Sequence, residues 1–515
     1  MTFCSTLRST AIAVLASLLL VGCDRVFGPT EADLSAFGEY VYRIDSVQLR
    51  DQFAQVLAAD TVHDETLTTL RQCYADAKEN DCLSFWATRM GVDDDADALL
   101  AWLQREVPAA GLDPSAFRLE EIAQDLNVVR LLAFDSLGID INTLLPRLDY
   151  NLTHAYLRYV VGQRYGFVNP DRLFNQLDHQ TEGKGYTRLF DYEVKTPDYA
   201  EVVRHLQSDD RMDYLRQSAP DDLVYTALQQ RLTTTTNATE RHTLAVNMER
   251  CRWQLKKPSS SERYLLVNLP AQQLWGVCPD SVINMRICFG KARTKTPLLQ
   301  SGITRVEVNP DWIITPNIIK NEVSVHAGDS AYFARNRYYI VDMSSGDTLN
   351  PAHVGVSQLK SGRLRVGQRG GAGNSLGRIV FRFPNNFSVY LHDTSNRGAF
   401  DLAQRTLSHG CVRVQKPFDL ALFVMPEMDE WETDQLRLSM DIKPETERGK
   451  KYLEEHRDDR RPLRLIRNRS VTPNLPLYIV YYTAYPNPES GTVEFWSDPY
   501  GYDSVITSAA RRWLL

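Results

Sequence analysis

The sequence predicts a multidomain α+β protein in which an α-helical part precedes a mostly β part. The chain has 515 residues, more than one hydrophobic core usually organises, so roughly two to four domains are expected. Residues 24 to about 250 repeat apolar side chains at the spacing of amphipathic helices, as in "DADALLAWLQREV". From Arg263 the pattern changes to β-branched and aromatic residues separated by turn residues, as in "RYLLVNLPAQQLWGVC", which indicates strands.

The predicted domain boundaries follow the breaks in these patterns. The helical domain is expected over 23–255, since "KKPSSSE" ends the helical spacing, and the mostly β domain over 260–430. The irregular segment from about 310 to 365 is too long for a simple loop, so it is expected to form a subdomain or lid. An α/β extension over 431–515, which contains the strand-like stretch "LPLYIVYYTAY", is expected to pack on the β domain.

The N-terminus carries the pattern of an exported protein. "MTFCSTLRST" has one positive charge, and the apolar run "AIAVLASLLLVG" that follows is too short for a permanent membrane-spanning helix. The residues from Leu20 to Cys23 resemble a bacterial lipobox, which implies a signal peptide over 1–22 and lipidation of the Cys23 thiol. We therefore expect a periplasm-facing protein that is lipid-anchored to a bacterial membrane. The alternative is an ordinary secretory signal with an incidental cysteine.

Composition and charge are those of a globular protein. Hydrophobic residues make up 43% of the chain and charged residues 24%, which argues against disorder. The net charge of −7 is mild for this length and gives no reason to expect a nucleic-acid partner.

The stretch "SVYLHDTSNRGAFDLAQRTLSHGCVRV", residues 388–414, contains the residues best suited to covalent catalysis. Cysteine is a strong nucleophile only as a thiolate, so Cys411 needs a base or a positive environment. A strand here would place His409, Cys411 and Arg413 on one face, because residues two apart point the same way. His409 would then reach the sulfur as a base, and Arg413 would favour a thiolate or a substrate carboxylate.

The residues around Gly410 complete this predicted site, and two other assignments stay open. Gly410 permits close approach of a ligand or an unusual backbone angle, and the N–H groups from Gly410 to Val412 would form an oxyanion hole. Ordinary packing of a strand is one alternative. The other is a zinc site, although no CxxC or HxxxH pair supports it; its ligands would be His392, Asp393, His409 and Cys411.

The same stretch resembles the signature of the YkuD-type L,D-transpeptidases. His392 is followed by fifteen residues and then by "SHGCVR", residues 408–413. "YLLVNLPAQQL", "NPDWIITPNIIK" and "VGQRGGAGNSLGRIVFRFPNNFSVYLHDT" are similar to the large murein L,D-transpeptidases, as are "LDYNLTHAYLRYVVGQRYGFVNP" and "NMERCRW" upstream. The resemblance covers about 140 to 515, and it implies a mostly β catalytic domain with a capping lid, preceded by an α-helical scaffold domain.

The resemblance implies an enzyme that acts on peptidoglycan stem peptides and needs neither a metal nor a cofactor. Cys411 would attack the carbonyl of the third residue of a tetrapeptide stem, release the terminal D-alanine and hold the stem as a thioester. An amine of a second stem would take the acyl group and complete a 3→3 cross-link. His409 would act as general base and acid. The expected supporting residues are His392, Gly410, Arg413, Ser408 and Tyr390. Carbapenem-type inhibitors would bind the same site.

Two further functions remain open on the sequence. Water or a protein lysine would attack the same Cys411 thioester in an L,D-carboxypeptidase, an amidase or a protein-anchoring enzyme, because pocket shape selects the acceptor. A non-catalytic wall-binding lipoprotein belongs to a different class, and the intact string from His409 to Arg413 argues against it.

Overall fold

The structure is a computed structural model of the chain and divides into two compact units. The described residues are 30–33, 41–60, 65–79, 84–88, 91–179, 185–256, 262–458 and 463–515. The predicted signal peptide over 1–22 and the predicted lipidation site Cys23 lie outside them. The helical unit comprises Met1–Asn169, Lys195–Gln254 and Ile506–Leu515, and the β-rich unit comprises Pro170–Val194 and Leu255–Val505. This organisation confirms the predicted α+β multidomain class.

Helices dominate the helical unit. They are Ser46–Ala59, Glu65–Glu79, Asp94–Ala109, Leu119–Arg130, Phe134–Leu137, Ile141–Tyr165, Tyr199–Leu206, Arg211–Arg216, Leu223–Thr234 and Ala238–Arg252, with a 3-10 turn at Pro114–Phe117. Two small antiparallel pairs join Thr30–Asp33 (β1) to Val41–Ile44 (β2) and Ala87–Thr88 (β3) to Gly91–Val92 (β4). Within the described residues, no helix combines the length and the apolar character that crossing a membrane requires.

The helix Ile141–Tyr165 forms the core of the helical unit. The Asp140 side chain caps its first turn by accepting a hydrogen bond from the Asn142 N–H, and every residue from Leu148 to Gln163 is buried. The helix ends at Gly166, whose φ of 84° suits glycine.

Strands dominate the β-rich unit. In chain order they are Phe190–Asp191 (β5), Tyr264–Asn268 (β6), Gln273–Cys278 (β7), Ser281–Gly290 (β8), Leu298–Val308 (β9), Trp312–Ile313 (β10), Tyr338–Asp342 (β11), Thr348–Leu349 (β12), Leu364–Gln368 (β13), Ile379–Arg382 (β14), Leu391–His392 (β15), Thr406–Ser408 (β16), Val412–Val414 (β17), Asn468–Val480 (β18), Ala484–Pro486 (β19) and Val493–Phe495 (β20). Helices of this unit outside the inserted segment described below are Pro170–Asn175, Pro417–Val424, Glu430–Ser439 and Glu447–Glu455, with a 3-10 turn at Arg397–Asp401. A last helix, Tyr502–Ala510, continues past the end of this unit.

The main sheet runs in the order β14-β15-β17-β8-β7-β6-β18-β9-β5, and β14 also pairs with β9, so the sheet closes on itself. Its interior is filled by large apolar side chains such as Trp275 and Phe289, both fully buried. β18 lies between β6 and β9, so the predicted extension over 431–515 supplies a strand of the sheet and is not only a layer packed on it. Similarly, β5 pairs with β9, which assigns Pro170–Val194 to the β-rich unit although the sequence predicted it within the helical domain.

A segment with its own sheet and core is inserted between β9 and β14. We call Trp312–Gln368 the inserted subdomain; its strands run in the order β10-β13-β11-β12. Short helical segments cover the sheet, at Pro316–Ile318, Ile319–Val323, Ser324–His326, Ser330–Arg335, Pro351–His353 and Val356–Lys360. The buried side chains Ile319, Phe333, Ile340 and Val366 belong to its hydrophobic cluster. The irregular stretch from about 310 to 365 is therefore a folded subdomain.

Candidate active site

Two short parallel strands bring the predicted site residues together. β15 pairs with β17 in the register Leu391 to Val412 and His392 to Arg413, and the Val412 N–H donates to the Tyr390 carbonyl at 3.1 Å. Because side chains alternate along each strand, His392 and Arg413 share one face, and Tyr390 directly before β15 continues it. The register thus joins residues that are about twenty positions apart in the sequence.

The turn between β16 and β17 corrects one sequence-based expectation. β16 ends at Ser408, β17 begins at Val412, and Gly410 between them has a φ of 117°, in the left-handed region that favours glycine. His409 and Cys411 therefore do not belong to one strand, and the alternation argument that set them on one face is wrong. The Ser408 hydroxyl closes the turn by donating to the Cys411 carbonyl at 2.5 Å and accepting from the Gly410 N–H at 3.1 Å.

A loop after β8 supports this turn, a role that the sequence analysis did not assign to it. The Thr296 hydroxyl donates to the Gly410 carbonyl at 2.8 Å and accepts from the Gly290 N–H at 2.9 Å. The Thr294 hydroxyl donates to the Ser408 carbonyl at 3.0 Å. Both threonines lie in "GKARTKTP", and its spacing contains no sign of these long-range contacts.

The Cys411 thiol lies half-buried at the start of β17. Its sulfur is 3.9 Å from the Ser388 carbonyl, and Tyr390 lies close to it. Burial raises the pKa of the Cys411 thiol to about 11, although Tyr390 and the charges of Arg382 and Arg413 offset part of the increase. The resting thiol is therefore protonated at neutral pH, and it must lose its proton to a base when it attacks.

His392 is buried and held in one tautomer. Its Nδ1 lies 2.5 Å from the Asp393 carbonyl oxygen, and since a carbonyl only accepts, Nδ1 carries the proton and Nε2 is the basic nitrogen of the neutral ring. Burial and then the charge of Arg413 lower the pKa of His392 to about 3, while the Asp393 and Leu376 carbonyls partly oppose this. The imidazole is therefore neutral at neutral pH.

His409 occupies a different setting. It is exposed, and its Nε2 lies 2.7 Å from Oε1 of Glu322, a residue of the inserted subdomain. Among the described residues, no hydrogen bond joins His409 to Cys411. The structure thus separates the two histidines of the signature, one inside the sheet and one on the turn.

Tyr390 and Arg413 complete the polar surroundings of the thiol. The Tyr390 ring lies 5.7 Å from the His392 ring and 4.5 Å from the Arg382 guanidinium. Burial and then the neighbouring Cys411 raise the pKa of the Tyr390 phenol, which keeps it protonated, and Trp312 of the inserted subdomain lies beside it. The buried Arg413 Nε has no hydrogen-bond partner among the described residues, so its charge is available to a ligand.

The backbone around the turn offers fewer N–H donors to an oxyanion than the sequence suggested. The Gly410 N–H is bonded to the Ser408 hydroxyl and the Val412 N–H to the Tyr390 carbonyl. Among the described residues, the Cys411 N–H has no such partner, so it is the backbone donor available to a developing oxyanion. Within the same residues, no group of three or more His, Cys, Asp or Glu side chains is arranged to hold a metal ion.

Comparisons with known proteins agree with this architecture. A family model described as "L,D-transpeptidase catalytic domain" (YkuD) matches residues 262–436, and one described as "Scaffold domain" matches residues 68–232. A protein of Haemophilus influenzae, whose name assigns it provisionally to the L,D-transpeptidases, is 27% identical over 334 residues, which cover 62% of this chain and 62% of the relative. The chain therefore contains a region similar to the L,D-transpeptidase catalytic domain, which follows a region similar to the scaffold domain.

Proposed function

We propose that the protein is a peptidoglycan L,D-transpeptidase that forms 3→3 cross-links between stem peptides through a thioester on Cys411. The observation that carries the proposal is the surroundings of the Cys411 sulfur: the nearby Tyr390, Arg382 and Arg413 and, on the paired strand, a neutral histidine of defined tautomer. Such a thiol and base suit acyl transfer.

The first half of the reaction forms the acyl-enzyme. The sulfur of Cys411 bonds to the carbonyl carbon of the third stem residue while the thiol proton passes to a histidine. The amide bond to D-alanine then breaks, and the histidine returns the proton to the leaving amine. The Cys411 N–H and the cation of Arg413 stabilise the negative oxygen and the substrate carboxylate in this step.

The sequence analysis assigned the general base to His409, but the two histidines of the signature suit different roles. A base for the thiol must be neutral, and the buried His392, whose Nδ1 proton is held by the Asp393 carbonyl, meets this condition. His409, which is exposed and bonded to Glu322, suits contact with the incoming peptide. We therefore propose His392 as the base of the first half-reaction.

The second half completes the cross-link. An amine nitrogen of another stem bonds to the thioester carbonyl, the carbon–sulfur bond breaks, and the amine proton reaches the sulfur through a histidine. The inserted subdomain supports this step as a lid, because Trp312 and Glu322 reach Tyr390 and His409, and excluding water favours amine attack over hydrolysis.

Product analysis tests the proposed function. The full chain and its Cys411→Ala variant are incubated with a disaccharide-tetrapeptide, and the products are weighed by mass spectrometry. We expect a dimer lighter by one D-alanine than two substrates from the wild type and unchanged substrate from the variant. Tripeptide without dimer would instead indicate a carboxypeptidase, and equal products from both proteins would refute the assignment of Cys411.

We also propose that export and lipidation at Cys23 bring the enzyme to a bacterial membrane facing the periplasm. The support is the lipobox-like sequence, Leu20 to Cys23, after an apolar run. In membrane fractionation, Cys23→Ser should move the protein from the membrane to the soluble fraction. Unchanged partitioning of that variant would reject the anchor.

A further inference from the structure

A cleft of about 1020 Å³ opens within the β-rich unit beside the turn that precedes Cys411. His409 and Gly410 line it, together with the loop that follows β8 and residues preceding β5. Cys411 is not among the described lining residues, whereas Phe387 and Val389, on either side of Ser388, are. The cleft therefore borders both the turn that precedes Cys411 and the segment that precedes β15.

The cleft is positively charged. Its lining includes four basic side chains, Arg188, Arg293, Lys295 and Lys320, and among the described residues Asp178 is the one acidic side chain that lines it. Lys295 is bonded to Asp178, and Arg188 lies 2.6 Å from Asp191. The exposed Arg293 makes no ion pair or hydrogen bond with the described residues, so its charge is left for a ligand.

The loop that carries Arg293 is tied to the catalytic turn. The Lys291 N–H donates to the Ser408 carbonyl at 3.1 Å, and the Thr294 hydroxyl donates to the same oxygen at 3.0 Å. The Lys291 carbonyl also accepts from the Thr294 N–H at 2.9 Å, which closes a turn around Arg293. Arg293 is thus held at a defined distance from the nucleophile by the bonds that shape the turn.

We propose that this cleft binds the acceptor stem peptide through its carboxylates, with Arg293 as the principal recognising cation. The inference rests on the proposed function, since only a transpeptidase needs a second peptide site. Guanidinium groups bind carboxylates through paired, charge-assisted hydrogen bonds. Nearby cations also disfavour the ammonium form of the acceptor amine, which keeps more of it neutral and nucleophilic. His409 lines the cleft two residues before Cys411, which suits contact with that amine as it approaches the thioester.

Separating the two half-reactions tests the proposal. With the full chain, the burst of D-alanine release from a tetrapeptide donor reports acylation. Dimer yield against the concentration of a tripeptide, which has no fourth residue to lose and serves only as acceptor, reports the second step. We expect Arg293→Gln to leave the burst within about twofold and to raise the half-saturating tripeptide concentration about tenfold, the value of one charge-assisted bond. Arg293→Glu should raise the half-saturating tripeptide concentration further, and Arg293→Lys should keep it close to the wild-type value.

A control variant and a control substrate show whether the effect depends on Arg293 and on the carboxylates of the tripeptide. Lys451→Gln removes an exposed cation on Glu447–Glu455 and should change neither step. With a tripeptide whose carboxylates are amidated, the wild type and Arg293→Gln should have the same half-saturating concentration.

The outcomes distinguish this proposal from the proposed function. If Arg293→Gln slows the D-alanine burst as much as dimer formation, or leaves dimer formation unchanged, the acceptor site is wrong while cross-linking stands. If the wild type releases D-alanine and never forms a dimer at any tripeptide concentration, both the cross-linking function and the acceptor site are rejected.

Discussion

The buried strand end that carries His392 and the exposed turn that carries His409 differ in the properties that control proton transfer. His392 is 4% exposed, neutral, and fixed by the Asp393 carbonyl, whereas His409 lies at the surface with a carboxylate partner, Glu322. His409 is two residues from Cys411 in the sequence, and His392 is nineteen residues away. The comparison shows that the pairing of β15 with β17 brings His392 close to the start of β17, where Cys411 lies, although the two residues are far apart in the sequence.

The largest expected effect concerns Cys411 itself. A carbapenem should open its lactam ring on this thiol: the sulfur–acyl bond forms, the lactam carbon–nitrogen bond breaks, and the nitrogen takes the proton. Intact-protein and peptide mass spectrometry should find one adduct, on Cys411, and Cys411→Ala should abolish it. Cys278→Ala is the matched control, because Cys278 is a partly exposed thiol in the same unit. An adduct that persists without Cys411 would contradict the proposed nucleophile.

The next prediction decides between the two histidines. We expect His392→Gln to slow the burst of D-alanine release by about 10²–10⁴-fold, the usual contribution of a general base. His409→Gln should lower the burst much less and should mainly affect transfer to the tripeptide acceptor. Burst kinetics for both variants provide the measurement. If the burst depends more strongly on His409, the base assignment made from the sequence is restored and the assignment made from burial is wrong.

Local sequence patterns predicted the helices and strands of this fold better than they predicted which strands pair with each other. The helix that ends at Gly166 and the change to strands after Arg263 follow from periodicity and turn residues, which are local properties. The position of β18 between β6 and β9, and the pairing of β5 with β9, depend on contacts between distant segments that no periodicity records.

In the candidate site, too, local patterns do not reveal the contacts that single residues make with distant segments. Residue chemistry and the family resemblance identified Cys411 and its neighbours, but the strand alternation failed where Gly410 turns the chain. Thr296 and Arg293 have no local signature, since a threonine or an arginine in a loop is ordinary until the fold brings it to the turn. The contacts of Thr296 and the proposed role of Arg293 follow from tertiary packing.

The pH dependence of its alkylation distinguishes the Cys411 thiol from a cysteine that is ion-paired with a histidine. The pKa of Cys411 is raised to about 11, and that of His392 is lowered to about 3, so no thiolate–imidazolium pair exists at neutral pH. Between pH 6 and pH 9, alkylation of Cys411 by iodoacetamide should rise about tenfold per unit, in step with the thiolate fraction. Peptide mass spectrometry at timed intervals measures the rate. A plateau that begins below about pH 8 would show a stabilised thiolate and overturn this account.

The smallest expected effect concerns the loop that supports the turn. Thr296→Val removes the donor to the Gly410 carbonyl and the acceptor of the Gly290 N–H, both buried groups, so local opening should become easier by about 1–3 kcal/mol. Hydrogen exchange at Gly290 should therefore accelerate by about tenfold or more. Thr304→Val, which removes a hydroxyl bonded to the Arg382 carbonyl on the same sheet, should leave that exchange unchanged. His392 is held by the carbonyl of its neighbour Asp393 and not by this loop. Thr296→Val should therefore slow acylation only as far as the turn loses order, and less than His392→Gln does. An acylation loss as large as that of His392→Gln would mean that the turn, and not the buried histidine, controls the reactivity of the thiol.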